Sequence, residues 1–162
     1  MLEQLCLDEA LLDAAKEVFE TMIFMSLEGC AGDDTPIQGD SMMGSITFRI
    51  MFEGSLDGCM SICCTTDCAR TIAANMLAIN TPEGVSETEI CDAIGEVTNM
   101  VMGSVKSRIQ DRVGNLDVSI PTVVTGRELE SSLGDHATKV GVRTLVDGQD
   151  VIQLTLLYRE RR

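Results

Sequence analysis

The segment Ser86-Glu-Thr-Glu89, with the unbroken run that follows it to Arg112, constrains the fold more than any other part of the chain. Serine at a helix start and glutamate three residues later can satisfy each other's backbone amides, and no proline interrupts the residues beyond. One long helix is therefore predicted. Within it Ile90, Ile94, Val97 and Val101 form a single apolar stripe that must be covered by other parts of the chain. The opposite side is polar. With Asp92 as origin and about 100° per residue, Glu96 lies at about 40°, Asn99 at about −20° and Gly103 at about 20°. Two acids and an amide thus share one exposed face, flanked by Met100 and Met102. One turn further on, the surface drops to bare backbone at Gly103, where a macromolecule could come close.

The same helix breaks local rules. Gly95, Thr98, Asn99 and Gly103 are poor helix formers, together costing ~2–3 kcal/mol against an alanine-rich equivalent. Such inconsistency marks either packing or function. The residues alone leave both open: a solvated face whose glycines let helices pack closely, or a face built to act on a partner.

The rest of the chain supplies what the helix must cover. Residues 8–27 show helical periodicity through Leu11, Ala15, Val18 and Met22, and Gly29 and Gly32 are expected to end that helix. After a polar loop around Asp33-Asp-Thr-Pro36, segments near 43–53 and 56–65 predict an antiparallel hairpin with Gly54 and Gly58 between them. Thr65-Thr-Asp67 offers an N-cap for a helix to about Ala78, and Asn80-Thr-Pro82-Glu-Gly84 a turn. Pro121 to Gly126, His136 to Leu145 and Val151 to Tyr158 predict three further strands, the last two joined at the hairpin signal Asp147-Gly148. The order αββα then αβββ predicts an α+β fold, an antiparallel sheet covered by helices.

The chain also echoes itself. A shift of 79 residues aligns Asp13-Ala-Ala-Lys-Glu17-Val-Phe-Glu20 with Asp92-Ala-Ile-Gly-Glu96-Val-Thr-Asn99. Their apolar stripes match too, Leu11 with Ile90, Ala15 with Ile94, Val18 with Val97 and Met22 with Val101. The first copy has Glu20 in place of Asn99 and Phe24 in place of Gly103.

Composition removes several classes of function. A chain of 162 residues is expected to form a single domain, 1–162, with a sizeable core. No tryptophan and a single tyrosine make that core aliphatic and rich in Met and Cys. A net charge of −14 argues against nucleic acid and anionic membranes, leaving basic or mixed protein surfaces as expected partners. Arg159, Arg161 and Arg162 read as a solubilising end. No apolar run nears the roughly 20 residues that span a bilayer, and the acidic start lacks a signal peptide's basic region, so a soluble cytoplasmic protein is expected.

Cys59, Cys63, Cys64 and Cys68 have no CxxC spacing and are expected to pack in the core, Cys59 and Cys63 on one face of a strand and Cys64 on the other. His136 is expected at the surface. No P-loop, zinc motif, catalytic-cysteine signature or nucleophile elbow is present.

Taken together, Asp92-x3-Glu96-x2-Asn99, the following Met100 and Gly103, and Pro121-Thr-Val-Val-Thr-Gly126-Arg127-Glu-Leu129 resemble the CheX branch of the CheC-type chemotaxis phosphatases. The resemblance covers most of the chain; the long helix and the Pro121 segment are its specific parts. It implies a CheC-like fold with a pseudo-repeated αββ arrangement, and removal of the phosphoryl group from the aspartate of a response-regulator receiver domain such as CheY.

On that resemblance Glu96 and Asn99 are the catalytic pair. Asn99 would orient a water, Glu96 would pair with the receiver's lysine, and Asp92, Met100 and Gly103 would bind the partner. The chain would hold no metal or cofactor of its own, Mg2+ arriving with the receiver. The resemblance further implies a homodimer with sheets joined between subunits, and Glu20 leaves one working site. Two other readings stand beside it: a non-catalytic module that docks a receiver or a flagellar-switch component, and a metal or redox sensor built on the cysteines.

Overall fold

Two antiparallel hairpins form the middle of one sheet. The computed structural model of the chain describes residues 6–31, 35–51 and 55–161. Strands β2 (Asp40–Met51) and β3 (Ser55–Thr65) pair from Ser41 opposite Thr65 to Met51 opposite Ser55. Strands β6 (Thr138–Val146) and β7 (Asp150–Glu160) form the second hairpin, closed by Asp147 and Gly148 at φ 50° and 72°. β3 and β7 join the hairpins, with Cys59 opposite Leu157 and Ile62 opposite Leu154. Short strands complete the edges. β1 (Leu27–Ala31) lies on β6, while β4 (Leu116–Val118) and β5 (Thr122–Arg127) share the outer edge of β2 at different heights.

Three helices, a π-helical turn and a 3-10 turn complete the described structure: α1 (Leu7–Val18) runs into the π turn Phe19–Ile23, followed by α2 (Thr66–Met76), the 3-10 turn Pro82–Gly84 and α3 (Glu87–Val113). Strand alternation explains the core. In β2 the side chains of Met42, Ile46, Phe48 and Ile50 face the helices and are buried, meeting Leu11, Ile72, Ile94 and Val101 in one apolar cluster. Cys64 and Cys68 belong to this cluster, whereas Cys63 sits on the other face of the sheet with Ile37 and Met43. Burial holds the Cys63 thiol up at about 11 and raises Cys59, while a hydrogen bond with Cys68, together with burial, raises Cys64, so all three are poor nucleophiles at neutral pH. No helix among the described residues is long and apolar enough to cross a membrane.

The repeat is larger than an αββ unit. Each half reads αβββ, α1-β1-β2-β3 and α3-β4/β5-β6-β7, with α2 inserted between them. The edge strand of each half pairs with the middle strand of the other, and the last strands of the two halves meet at the centre. β1 and β4 escape sequence reading because strands of five and three residues carry too little alternation.

Several boundaries differ from expectation. The first helix ends well before residue 27, because the π turn buries Phe19 and Ile23 and Phe24 then turns left-handed at φ 61°. Gly29 terminates nothing. It lies in β1, where a Cβ would stand 2.5 Å from Cδ1 of Leu12, so its role is to let α1 lie on the sheet edge. Gly58 is a strand residue covered by the ring of Phe48, its cross-strand partner, and the expected turn at Gly54 and the end at Gly32 fall outside the described residues. The C-terminal arginines are partly structural: Arg159 lies in β7, and Arg161 reaches Asp57 at 3.6 Å, where Arg49 also bonds at 3.1 Å. Arg162 is outside the described residues.

Gly44 seats α3 on the sheet. A Cβ on Gly44 would stand 2.1 Å from Oγ1 of Thr98 and 3.2 Å from Cγ2 of Ile94. The Gly44→Ala variant is expected to lose about 1–3 kcal/mol of stability through overpacking, read as a lower urea midpoint. An unchanged midpoint would mean that helix and strand can separate here without cost.

Candidate functional site

The polar face of α3 is set by its two anchored sides. At its start Ser86 Oγ accepts from the Glu89 amide at 3.2 Å, and Glu89 Oε1 accepts from the Ser86 amide at 3.1 Å. These bonds hold the Glu89 carboxyl below its ordinary range. Along the inner side Ile90, Ile94, Val97 and Val101 are buried, and Thr98 turns inward to donate to the Ile94 carbonyl at 2.7 Å. Asn99, about 100° further round the helix, is exposed.

Asp92, Glu96, Asn99 and Gly103 are all exposed on that outer side, and Met100 is half-buried beside them. Among the described residues neither carboxylate nor the amide has a hydrogen-bond or ion-pair partner. The glycine in front of them is open as well, for among the described residues nothing beyond its own stretch of helix lies within 4 Å of where a Gly103 Cβ would be. The reading that both helix glycines exist for internal packing therefore fails at Gly103. At Gly95 a Cβ would make ordinary contacts, 3.6 Å from Val123 and 3.9 Å from Pro121, so space does not require glycine there either.

The Pro121 segment lies against the flank of the same helix. Ser119 fixes its start on β2: the Ser119 amide donates to the Thr47 carbonyl at 2.9 Å, and Thr47 donates back to Ser119 Oγ from its amide at 3.0 Å and its hydroxyl at 2.9 Å. Pro121 and Val123 then rest beside Gly95, and Arg127 at the far end of β5 bonds Asp40 at 2.8 Å. The two specific parts of the sequence, distant along the chain, thus meet on one surface.

The first helix does not reproduce this surface. Asp13, Glu17 and Glu20 are exposed, but Glu17, the counterpart of Glu96, is bonded to Arg108 of α3. Glu20 falls in the π turn, where a wider helical turn alters the angular spacing. Phe24 comes after the helix has ended, so it does not fill a gap on the helix surface as the sequence echo suggests.

No group of three or more His, Cys, Asp or Glu side chains that could hold a metal occurs among the described residues. A groove of about 420 Å³ lies across the sheet, lined by Thr47, Arg49, Asp57, Asp117 and Arg159 and not by the α3 trio. The trio stands on an exposed helix face.

Solved structures place the chain in a known fold class. It is similar to a CheC-like superfamily protein from Shewanella sp. PV-4, with 24% identity over 94% of this chain and 97% of that one and a TM-score of 0.76. The chemotaxis protein CheX from Vibrio vulnificus gives 24% identity, 95% and 97% coverage and a TM-score of 0.77. A complex of CheX with CheY, BeF3 and Mg2+ from Borrelia burgdorferi gives 19%, 94% and 97%, and 0.73. These likenesses establish a CheC-like α+β fold. No curated protein matches the chain significantly in sequence. The family described as chemotaxis phosphatase CheX matches residues 46–144, well over half of the chain and including α3 and the Pro121 segment, and the chain belongs to that family.

Proposed function

We propose that the protein hydrolyses the aspartyl phosphate of a CheY-like receiver domain, with Asn99 and Glu96 as its working side chains. The observation that carries this reading is the unpartnered trio Asp92, Glu96 and Asn99 on an exposed helix face, with open space at Gly103. Family membership supplies the class of activity, and the Borrelia complex of CheX with CheY supports a receiver as partner.

An aspartyl phosphate is a mixed anhydride, already reactive toward water. The receiver carries the Mg2+ that neutralises charge on the phosphoryl oxygens. What the second protein must add is a water placed in line. Asn99 suits this, because its Oδ1 can accept a hydrogen bond from that water while its Nδ2 donates to a phosphoryl oxygen. The new bond joins the water oxygen to phosphorus, the bond from phosphorus to the aspartyl oxygen breaks, and the products are inorganic phosphate and a free carboxylate. The amide positions the water and takes no proton; the water's proton leaves with the phosphate.

Glu96 would pair with the lysine of the receiver site and set the register in which Asn99 enters. Asp92 and Met100 would lie at the rim of the same contact. A pure docking module would need no free amide at its centre. The family resemblance also suggests a homodimer, and β5 offers an exposed six-residue strand on the outer edge of β2 for joining a second copy. Such a protein would work in the cytoplasm, where receiver domains are phosphorylated.

The test is the decay of phosphate from a Mg2+-loaded, phosphorylated receiver domain from the same source, with and without the protein. Acceleration is expected, and Glu96→Ala should raise the concentration for half-maximal acceleration about tenfold. No acceleration with any receiver of that source would remove the proposal, and an unchanged half-saturation in Glu96→Ala would remove the lysine pairing alone.

A further inference from the structure

Four charged side chains form one row across four strands of the sheet. Pairing sets Asp117 of β4 opposite Arg49 of β2, Arg49 opposite Asp57 of β3, and Asp57 opposite Arg159 of β7. Directly opposed residues share a face of the sheet, so the signs alternate along the row. That face is the one turned away from α3, because Arg49 stands between Phe48 and Ile50, whose side chains join the core beneath the helices. An alternating row on an exposed sheet is ordinary if it closes on itself. This one closes only in its middle. Arg49 bonds Asp57 at 3.1 Å, and the other oxygen of Asp57 is approached by Arg161 at 3.6 Å. Asp117 and Arg159 each lie beside an opposite charge that bonds elsewhere, and neither has a hydrogen-bond or ion-pair partner among the described residues. All four residues line the groove of about 420 Å³, with Leu133 as part of its wall.

We propose that this groove binds a short zwitterionic peptide, its ammonium group on Asp117 and its carboxylate on Arg159. The inference is independent of the receiver-phosphatase reading. Charge carries it first: the two unpaired groups are opposite in sign and stand at opposite ends of the row, so a ligand with a single charge leaves one of them unmatched. Spacing carries it next. Asp117 and Arg159 are three strand spacings apart, about 14 Å between backbones. An extended tripeptide spans about 10 Å, and the two side chains lining the groove cover the remainder. The volume of about 420 Å³ is also that of a small-ligand site, which runs from about 300 to 1,000 Å³. At the carboxylate end, the planar guanidinium of Arg159 can offer two parallel N–H donors.

The experiment titrates the whole, isotope-labelled protein with triglycine and follows the amide resonances of the row by NMR. Saturable shifts at Arg49, Asp57, Asp117 and Arg159 are expected. Acetyl-triglycine, which lacks the ammonium, and triglycine amide, which lacks the carboxylate, should each bind about fivefold more weakly. Arg159→Glu and Asp117→Arg should each weaken triglycine about tenfold, since each replaces an attraction by a repulsion. The double variant carrying both changes exchanges the two ends, so triglycine can bind in the reverse direction, and affinity should return to within about twofold of wild type. Thermal unfolding of the three variants shows that each is folded. Absence of saturable shifts in the wild type would overturn the proposal, as would equal binding of the capped peptides or a folded double variant no better than the single ones.

Discussion

Asn99→Ala is expected to bring receiver dephosphorylation at saturating protein close to its spontaneous rate, a loss of about 100-fold, equivalent to about 2.7 kcal/mol. The size follows from what the amide would do: holding one water in line removes the cost of orienting it in the transition state, and an alanine methyl can hold no water. The fold should not suffer. Asn99 is exposed, lacks a protein partner among the described residues, and alanine is the better helix former by about half a kcal/mol. Single-turnover phosphate decay, alongside binding to a beryllofluoride-loaded receiver, separates positioning from docking. Binding should remain within a few-fold of wild type. A variant that keeps its rate would show that the water is oriented by another group.

The second large effect is expected at Gly103, where bulk faces the partner instead of the protein's own core. Gly103→Phe should weaken receiver binding by about two orders of magnitude, since a ring there would hold the two surfaces apart and leave Asn99 short of the phosphoryl group. Gly103→Ala should cost little binding. Both variants should fold at least as well as wild type, because the space around a Cβ is empty and glycine in a helix interior is worth up to about 1 kcal/mol less than alanine. Thermal unfolding and receiver titration of the pair give the answer. Full activity in Gly103→Phe would mean that the partner does not approach this turn. The contrast with Gly44 is instructive: there a single methyl would meet Thr98 inside the protein, so one glycine serves the fold and the other the outer surface.

The placement of the candidate site on α3 is legible in the sequence, for reasons peculiar to helices. Helical geometry is local, so the capping box at Ser86, the apolar stripe from Ile90 to Val101 and the trio Asp92, Glu96 and Asn99 could be placed on opposite sides of α3 from spacing alone. The two main hairpins were legible for a similar reason, since each is closed locally and its strands are long enough to show their character. The end of the first helix was not. Its stop comes from burial of Phe19 and Ile23 and a left-handed Phe24, whereas Gly29, the residue that looked like a stop, belongs to a strand.

The amino-acid sequence by itself determined the chemistry available on α3, the direction in which it faces, and the family to which the chain belongs. Tertiary structure decided what surrounds that chemistry. Pairing of β4 and β5 with β2 carries Pro121 and Val123 across to Gly95, while Arg108 of α3 engages Glu17 in the first helix, so that the counterpart of Glu96 is paired. These arrangements join residues far apart in the chain. Strand pairing and side-chain contact at such separations depend on the packing of the whole sheet, and no local periodicity encodes them.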